Sequence, residues 1–187
     1  MEPKPLGRGL EQVSRVFLSE AATQRSPPPD EPDAGSFVVR RAARVTRPHI
    51  DEAVRDHAEA IEEGLRILDR GIPCAPCGEI DFLAVDRKSQ LAVIDLETAP
   101  ADELLIRGLS HFDWIVGNVA NLRRMYRGQP INFSLQPRIL LLAPQFSTRV
   151  RSAARPIASP EIEWILYHVV EVRGQTGVLF ERLPALD

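Results

Sequence analysis

The sequence has few cysteines, few aromatic residues and no long apolar run. Cys74 and Cys77 are the only cysteines among 187 residues, and aromatic residues make up 6%. A disulfide framework is therefore excluded as the basis of the fold. No apolar run approaches the roughly 18–20 residues of a membrane span, and no apolar segment follows the early charges as in a signal peptide. We expect a cytoplasmic protein that has no membrane partner.

Positive charge is not in excess either. The chain carries 23 lysines and arginines against 26 acidic residues, for a net charge of −3. This balance gives no global sign of nucleic-acid binding, although a local basic patch would suffice. The length suits one α/β domain with an appendage, since about 100–150 residues can bury a core.

Composition changes sharply near residue 36. The run SPPPDEPDAG, from Ser26 to Gly35, holds four prolines and three acids and favours neither a helix nor a strand. We predict a flexible N-terminal arm over residues 1–35 and a folded domain over residues 36–187. In the arm, an apolar stripe recurs at helical spacing at Val13, Val16 and Phe17. It indicates either a short terminal helix that frays or a docking helix for a groove on a protein partner.

Within the domain, apolar periodicity predicts alternating strands and helices. Intervals of three and four predict a helix over residues 49–70, from Val54, Ala58, Ile61, Leu65 and Leu68. They predict a second helix over residues 100–125, from Leu105, Leu109, Phe112, Val116 and Val119. The other predicted elements are strands at 37–45, 79–85, 91–96, 138–143, 162–170 and 178–183 and a short helix at 146–154. This order predicts a mixed β-sheet flanked by helices.

Three acids lie on the hairpin formed by the strands at 79–85 and 91–96. Side chains on a strand alternate between faces, so Asp95 and Glu97 point the same way, and Asp81 on the neighbouring strand can reach the same point. Converging carboxylates suit Mg²⁺ or Mn²⁺. Such a metal can activate water for attack on a phosphodiester. We therefore predict a metal site at Asp81, Asp95 and Glu97.

The run GEIDFLAVDRKSQLAVIDLET, from Gly78 to Thr98, resembles the core motif of the PD-(D/E)xK nucleases. It is most similar to the mismatch-endonuclease and RecB-like catalytic domains. The resemblance covers about residues 50–183 and implies a restriction-endonuclease-like fold. Asp81 and Asp95 match the two motif acids, and Glu52 is the best match for an upstream glutamate. Glu97 stands in the place of the motif lysine.

Glu97 leaves two functional hypotheses. In one, catalysis is lost and the domain binds nucleic acid or a protein partner, with no cofactor; we favour it because the lysine belongs to a group that acts as a unit. In the other, the protein is an active DNA endonuclease that uses Mg²⁺ or Mn²⁺, and Arg107 supplies the missing positive charge. Arg107 and His111 stand where the family often has glutamine and an aromatic residue. Double-strand cleavage would favour a homodimer.

Two clusters of arginines are candidates for contact with DNA. One closes the second predicted helix and the other lies in the short helix: Arg123, Arg124, Arg127, Arg149 and Arg151. They either interact with helix dipoles and solvent or bind a phosphate backbone. The single pair Cys74 and Cys77 is too small a set for structural zinc, which takes four ligands, and we interpret it as a reduced pair in a loop.

Overall fold

The computed structural model describes residues 39–41 and 46–184. The predicted N-terminal arm at 1–35, with Val13, Val16 and Phe17, lies outside the described residues, as does the predicted boundary at residue 36. Within the described residues a mixed sheet is flanked by helices, which confirms the predicted α/β class. None of the helices described is both long enough and apolar enough to span a membrane.

The sheet has seven strands in the part of the chain that is described. Their bounds are β1 Val39–Arg41, β2 Arg66–Cys74, β3 Gly78–Val85, β4 Leu91–Leu96, β5 Arg138–Ala143, β6 Ile162–Val172 and β7 Gln175–Arg182. The strand order is β1-β6-β5-β4-β3-β2, and β7 also pairs with β6. The pairs β4–β5 and β5–β6 are parallel, whereas the other pairs are antiparallel.

The helices differ from the prediction in two places. Their bounds are α1 Arg47–Asp56, α2 Glu103–Gly117, α3 Val119–Met125 and α4 Thr148–Ala154, with a 3₁₀ turn at Ala58–Ala60. The predicted helix over residues 49–70 is wrong beyond Asp56, because residues 66–74 form β2. Leu65 and Leu68 fit a helical period, but they pack on opposite faces of the sheet. Pairing of β2 with β3 outweighs the local helical pattern.

The predicted helix over residues 100–125 divides at Asn118 into α2 and α3. The side-chain amide of Asn118 donates a hydrogen bond to the Trp114 carbonyl (2.8 Å), which closes the end of α2. Leu122, in the second segment, is buried, whereas Val116, which precedes the break, is exposed. Val116 is therefore not part of one continuous apolar stripe.

Two hydrophobic layers enclose the sheet. Side chains from α1 and the 3₁₀ turn pack on one face, against alternate residues of β3, β4, β5 and β6. On the other face, α2 and α4 pack against β5 and β6. The C-terminal end of α2, together with α3, packs against β2, β3 and β4. At Gly108, a Cβ atom would lie 2.9 Å from Leu141 Cδ2 and 3.0 Å from Ile139 Cγ2. The missing side chain lets α2 approach the sheet closely beside Asp95.

Candidate functional site

Asp81 lies where β3 and β4 stop pairing. The ladder between the two strands ends at the pair Phe82 and Ile94. Beyond it, the backbone N–H of Leu96 donates to Asp81 Oδ2 at 2.7 Å. The carboxylate thus takes over a hydrogen bond where strand pairing ends. Burial raises the pKa of Asp81, and the Leu96 N–H and the charge of Arg47 only partly oppose this effect.

Asp95 and His111 form a fully buried pair at the end of β4. Both side chains are 0% exposed, and His111 Nδ1 lies 2.8 Å and 2.9 Å from the two Asp95 carboxylate oxygens. His111 Nε2 lies 3.2 Å from the carbonyl of Cys77. Burial lowers the pKa of His111, but the hydrogen bond and charge of Asp95 raise it, and the net direction is upward. Both ring nitrogens lie within hydrogen-bonding distance of oxygen atoms, and the imidazolium form can donate to both.

The guanidinium of Arg107 lies among the three predicted acids. It forms an ion pair with Glu97, and it lies 3.4 Å from Asp81 Oδ2 and 3.8 Å from Asp95 Oδ1. It also donates to the Leu96 carbonyl at 2.9 Å. Arg107 lies off the apolar stripe of α2 because that part of the helix faces the acids rather than open solvent.

Arg47 is a second cation at the site, and the sequence did not indicate it. Its guanidinium lies 2.5 Å from Asp81 Oδ1 and 3.0 Å from Asp51 Oδ1. It also donates to the Leu96 carbonyl at 2.6 Å. Arg47 precedes Pro48 and the predicted start of the helix, so no periodic pattern marked it.

Glu52 is not brought to the other acids. Its side chain is 66% exposed and lies 3.9 Å from Arg55, and it borders a separate pocket with Val169 and Thr176. Asp51, one residue earlier, is the acid of α1 that reaches the site, through its ion pair with Arg47. One residue along a helix turns the side chain by about 100°, so Glu52 faces away.

We define the acid cluster as Asp81, Asp95 and Glu97. Each of its carboxylates is paired with a different cation of the chain: Asp81 with Arg47, Asp95 with His111 and Glu97 with Arg107. Across the described ranges, no group of three or more His, Cys, Asp or Glu residues is arranged to hold a metal ion. Mg²⁺ needs oxygen ligands in near-octahedral geometry. As the side chains are arranged, the acid cluster does not fit a divalent cation.

Comparison with known proteins gives only distant similarities. No protein-family model matches the sequence, and no curated protein matches it. A structure of EndoMS with double-stranded DNA is 19% identical, with a TM-score of 0.41, over 64% of this chain and 44% of that one. A repair endonuclease from Pyrococcus abyssi is 19% identical, with a TM-score of 0.42, over 66% of this chain and 48% of that one. This chain thus spans less than half of either structure.

The two arginine runs lie on the helical layer that contains α2. Arg123 and Arg124 belong to α3, and Arg127 follows it, while Arg149 and Arg151 belong to α4. α3 shares a hydrophobic cluster with the C-terminal part of α2, whereas α4 shares another with its N-terminal and middle parts. Among the described residues, no ion pair joins either run to the acid cluster.

Several of these arginines have a local partner as well. Arg123 lies over the Phe133 ring, 5.3 Å from its centroid, and Arg124 donates to the side chain of Asn121 at 2.5 Å. Arg151 donates to the carbonyl of Pro184. Arg127 and Arg149 are exposed. The side chains of both runs therefore face solvent at least in part, where a phosphate backbone can reach them.

Proposed function

We propose that the chain is a nuclease-related domain of the PD-(D/E)xK type, which binds nucleic acid without the metal-dependent hydrolysis of that superfamily. The acid cluster carries the proposal, because each carboxylate is paired with a cation of the chain. Glu97 also stands where the resembled motif has its lysine. A carboxylate there cannot stabilise the negative charge that builds on a phosphoryl group.

The topology supports the nuclease-like part of the proposal. The antiparallel hairpin of β3 and β4 continues into two parallel strands, β5 and β6. The acids lie where β3 and β4 separate, and α2 packs across β4 and β5 at that point. A fold hosts many functions, so the activity is argued from the site and not from this arrangement.

The arginine runs support the nucleic-acid part of the proposal. Arginine contacts phosphate oxygens through charge-assisted hydrogen bonds, and such contacts position a nucleic acid without reading its sequence. The five arginines on α3, α4 and the turn after α3 supply this charge on a chain with a net charge of −3. We expect binding that depends strongly on salt and weakly on sequence.

The test is the affinity of the full chain for double-stranded DNA at several salt concentrations. The triple variant Arg123→Ala/Arg124→Ala/Arg127→Ala should bind more weakly, with a salt slope reduced by about 1 for each lost phosphate contact. Arg87→Ala serves as the control, since Arg87 is an exposed arginine that pairs with Glu63. Equal affinity of all three proteins would contradict a role for the first run.

A second candidate function is a DNA endonuclease in which Arg107 takes the place of the lysine. The observation in its favour is that the Arg107 guanidinium contacts all three members of the acid cluster. Arginine provides a fixed positive charge but cannot act as a base. Under this candidate, Arg107→Ala should abolish DNA hydrolysis measured in Mg²⁺ or Mn²⁺. Hydrolysis that persists in the variant would remove Arg107 from that role.

A further inference from the structure

Among the described residues, four oxygen atoms pair with the Arg107 guanidinium. Three belong to the acid cluster, namely Glu97 Oε1, Asp81 Oδ2 and Asp95 Oδ1, and the fourth is the carbonyl oxygen of Leu96. Carboxylate and carbonyl oxygens are the ligands that hard divalent cations prefer. The guanidinium therefore occupies the space between oxygen atoms of the type that bind such cations, and we call this set of oxygens the oxygen cage.

Arg107 is held there by charge as well as by hydrogen bonds. Its Nε atom is buried and has no hydrogen-bond partner, yet it faces Asp95 Oδ1 at 3.8 Å. A donor left without a partner is unfavourable, so the surrounding carboxylates must compensate. Without a cation, these carboxylates would repel one another and one of them would become protonated.

We infer that Arg107 is the built-in cation of the acid cluster, and that it excludes divalent cations from an oxygen cage which its removal would open. The direct pair with Glu97 is central, because the acid that replaces the motif lysine is the one that Arg107 contacts most closely. The inference concerns the acids alone and does not depend on nucleic-acid binding.

Solvent access does not prevent a metal from reaching the cage. Asp81 borders an open cleft together with Arg47 and Asp51, and the Arg107 side chain is 32% exposed. After removal of Arg107, Arg47 would still pair with Asp81 and donate to the Leu96 carbonyl, and His111 would still pair with Asp95. Glu97 would lose the one cation with which it pairs among the described residues. Exclusion of metal at Glu97 thus falls to one side chain, which makes it testable.

The experiment is titration of the full chain with Mn²⁺, with free Mn²⁺ followed by electron paramagnetic resonance. The proteins are wild type, Arg107→Ala, Arg107→Gln and the control Arg87→Ala, which changes the net charge by the same amount at an exposed site. Wild type and Arg87→Ala should leave Mn²⁺ free. Both Arg107 variants should bind Mn²⁺ about tenfold or more tightly than wild type, since an unpaired carboxylate attracts a cation more strongly.

Two further measurements locate the ion and guard against unfolding. Adding Glu97→Gln to Arg107→Ala should remove most of the gained affinity, because Glu97 is the acid that loses its cation. Thermal unfolding should show that Mn²⁺ stabilises the Arg107 variants and not wild type, as expected for a ligand that binds the folded state.

Three results would overturn the inference. One is Mn²⁺ binding by wild type that Glu97→Gln abolishes, because the metal would then bind despite Arg107. Another is a folded Arg107 variant that binds no more Mn²⁺ than Arg87→Ala does. The third is an Arg107 variant that stays unfolded in Mn²⁺, since a bound metal should replace the lost charge.

Discussion

Glu97 and Arg107 form a direct ion pair within the acid cluster. Under the proposed relationship to the PD-(D/E)xK nucleases, this acid would take the place of the motif lysine, and the arginine would take a place often filled by glutamine. Without Arg107, the partly buried Glu97 carboxylate would lose its cation, which is unfavourable. Without Glu97, Arg107 would still lie near Asp81 and Asp95.

A double-mutant cycle measures this coupling. Glu97→Gln and Arg107→Gln should each destabilise the fold, and the coupling between them should be about 1 kcal/mol, because residues in one ion-pair network do not act additively. The measurement is urea unfolding of the four proteins. Arg55 and Asp56, an exposed pair, provide the control and should show much weaker coupling. Coupling no larger than in the control would mean that the two side chains act separately.

The sequence identified the acids at residue level but not all of their cations. Strand alternation and the hairpin predict that Asp81, Asp95 and Glu97 converge. In the structure all three lie around Arg107. Arg47 was missed because it reaches Asp81 from α1, and a contact between such distant segments leaves no local pattern. His111 was noted only for its position in the helix, since its burial depends on how α2 packs.

At the scale of elements, the structure depends on how helices begin and end. The hairpin strands and β5 were predicted well, because continuous apolar runs mark strands that are covered on both faces. The segment from Ile61 to Leu68 was predicted wrongly, because its apolar residues fit both a helix and a strand that packs on two faces. Only the pairing of β2 with β3 decides between them.

Ser147 begins α4 and offers a test of one such end. Its Oγ atom accepts a hydrogen bond from the Val150 N–H at 3.1 Å and donates one to Asp102 at 2.8 Å. Ser147→Ala should lower the free energy of unfolding by about 1 kcal/mol, the usual effect of losing an N-cap. Urea unfolding measures it, with Ser152→Ala, an exposed position within α4, as the control. Equal stability of both variants would show that the cap contributes little.

At the scale of the whole molecule, a charge network centred on a buried arginine joins three neighbouring strands to the segment after the 3₁₀ turn. Arg138, whose side chain is 4% exposed, lies 2.7 Å from Glu62 and also pairs with Glu163. Arg182 joins the same two acids, at 2.7 Å and 2.9 Å. The network links the segment after the 3₁₀ turn to β5, β6 and β7. It lies at the start of β5, whereas the acid cluster lies at the end of β4.

Removal of Arg138 should be far more damaging than removal of Arg182. Arg138→Met leaves Glu62 and Glu163 without their buried partner, which should cost about 3–5 kcal/mol. Arg182→Met should cost less, because that side chain is 46% exposed and solvent screens its pairs. Denaturant unfolding of both variants distinguishes them. Similar losses in the two would contradict the assignment of Arg138 as the centre of the network.

The same network gives the stability a pH dependence. Burial alone would raise the pKa of Glu62. The hydrogen bonds and charges of Arg138 and Arg182 together lower it by more, so the net direction is downward. A lowered pKa stabilises the fold above the unfolded value of about 4.3, and this contribution is lost as the pH falls through the folded value. Wild type should therefore lose stability on acidification more steeply than Glu62→Gln. Parallel profiles of unfolding free energy against pH would contradict this.

The central claim is that the acid cluster is neutralised by the chain itself and does not support hydrolysis of DNA. The most direct test is incubation of the wild type with plasmid and single-stranded DNA in Mg²⁺ or Mn²⁺, beside Asp81→Ala and Asp95→Ala. We expect intact DNA with all three proteins, and binding of DNA by the wild type in the same buffer. Cleavage by the wild type that both variants abolish would contradict the claim and identify a working metal-dependent nuclease.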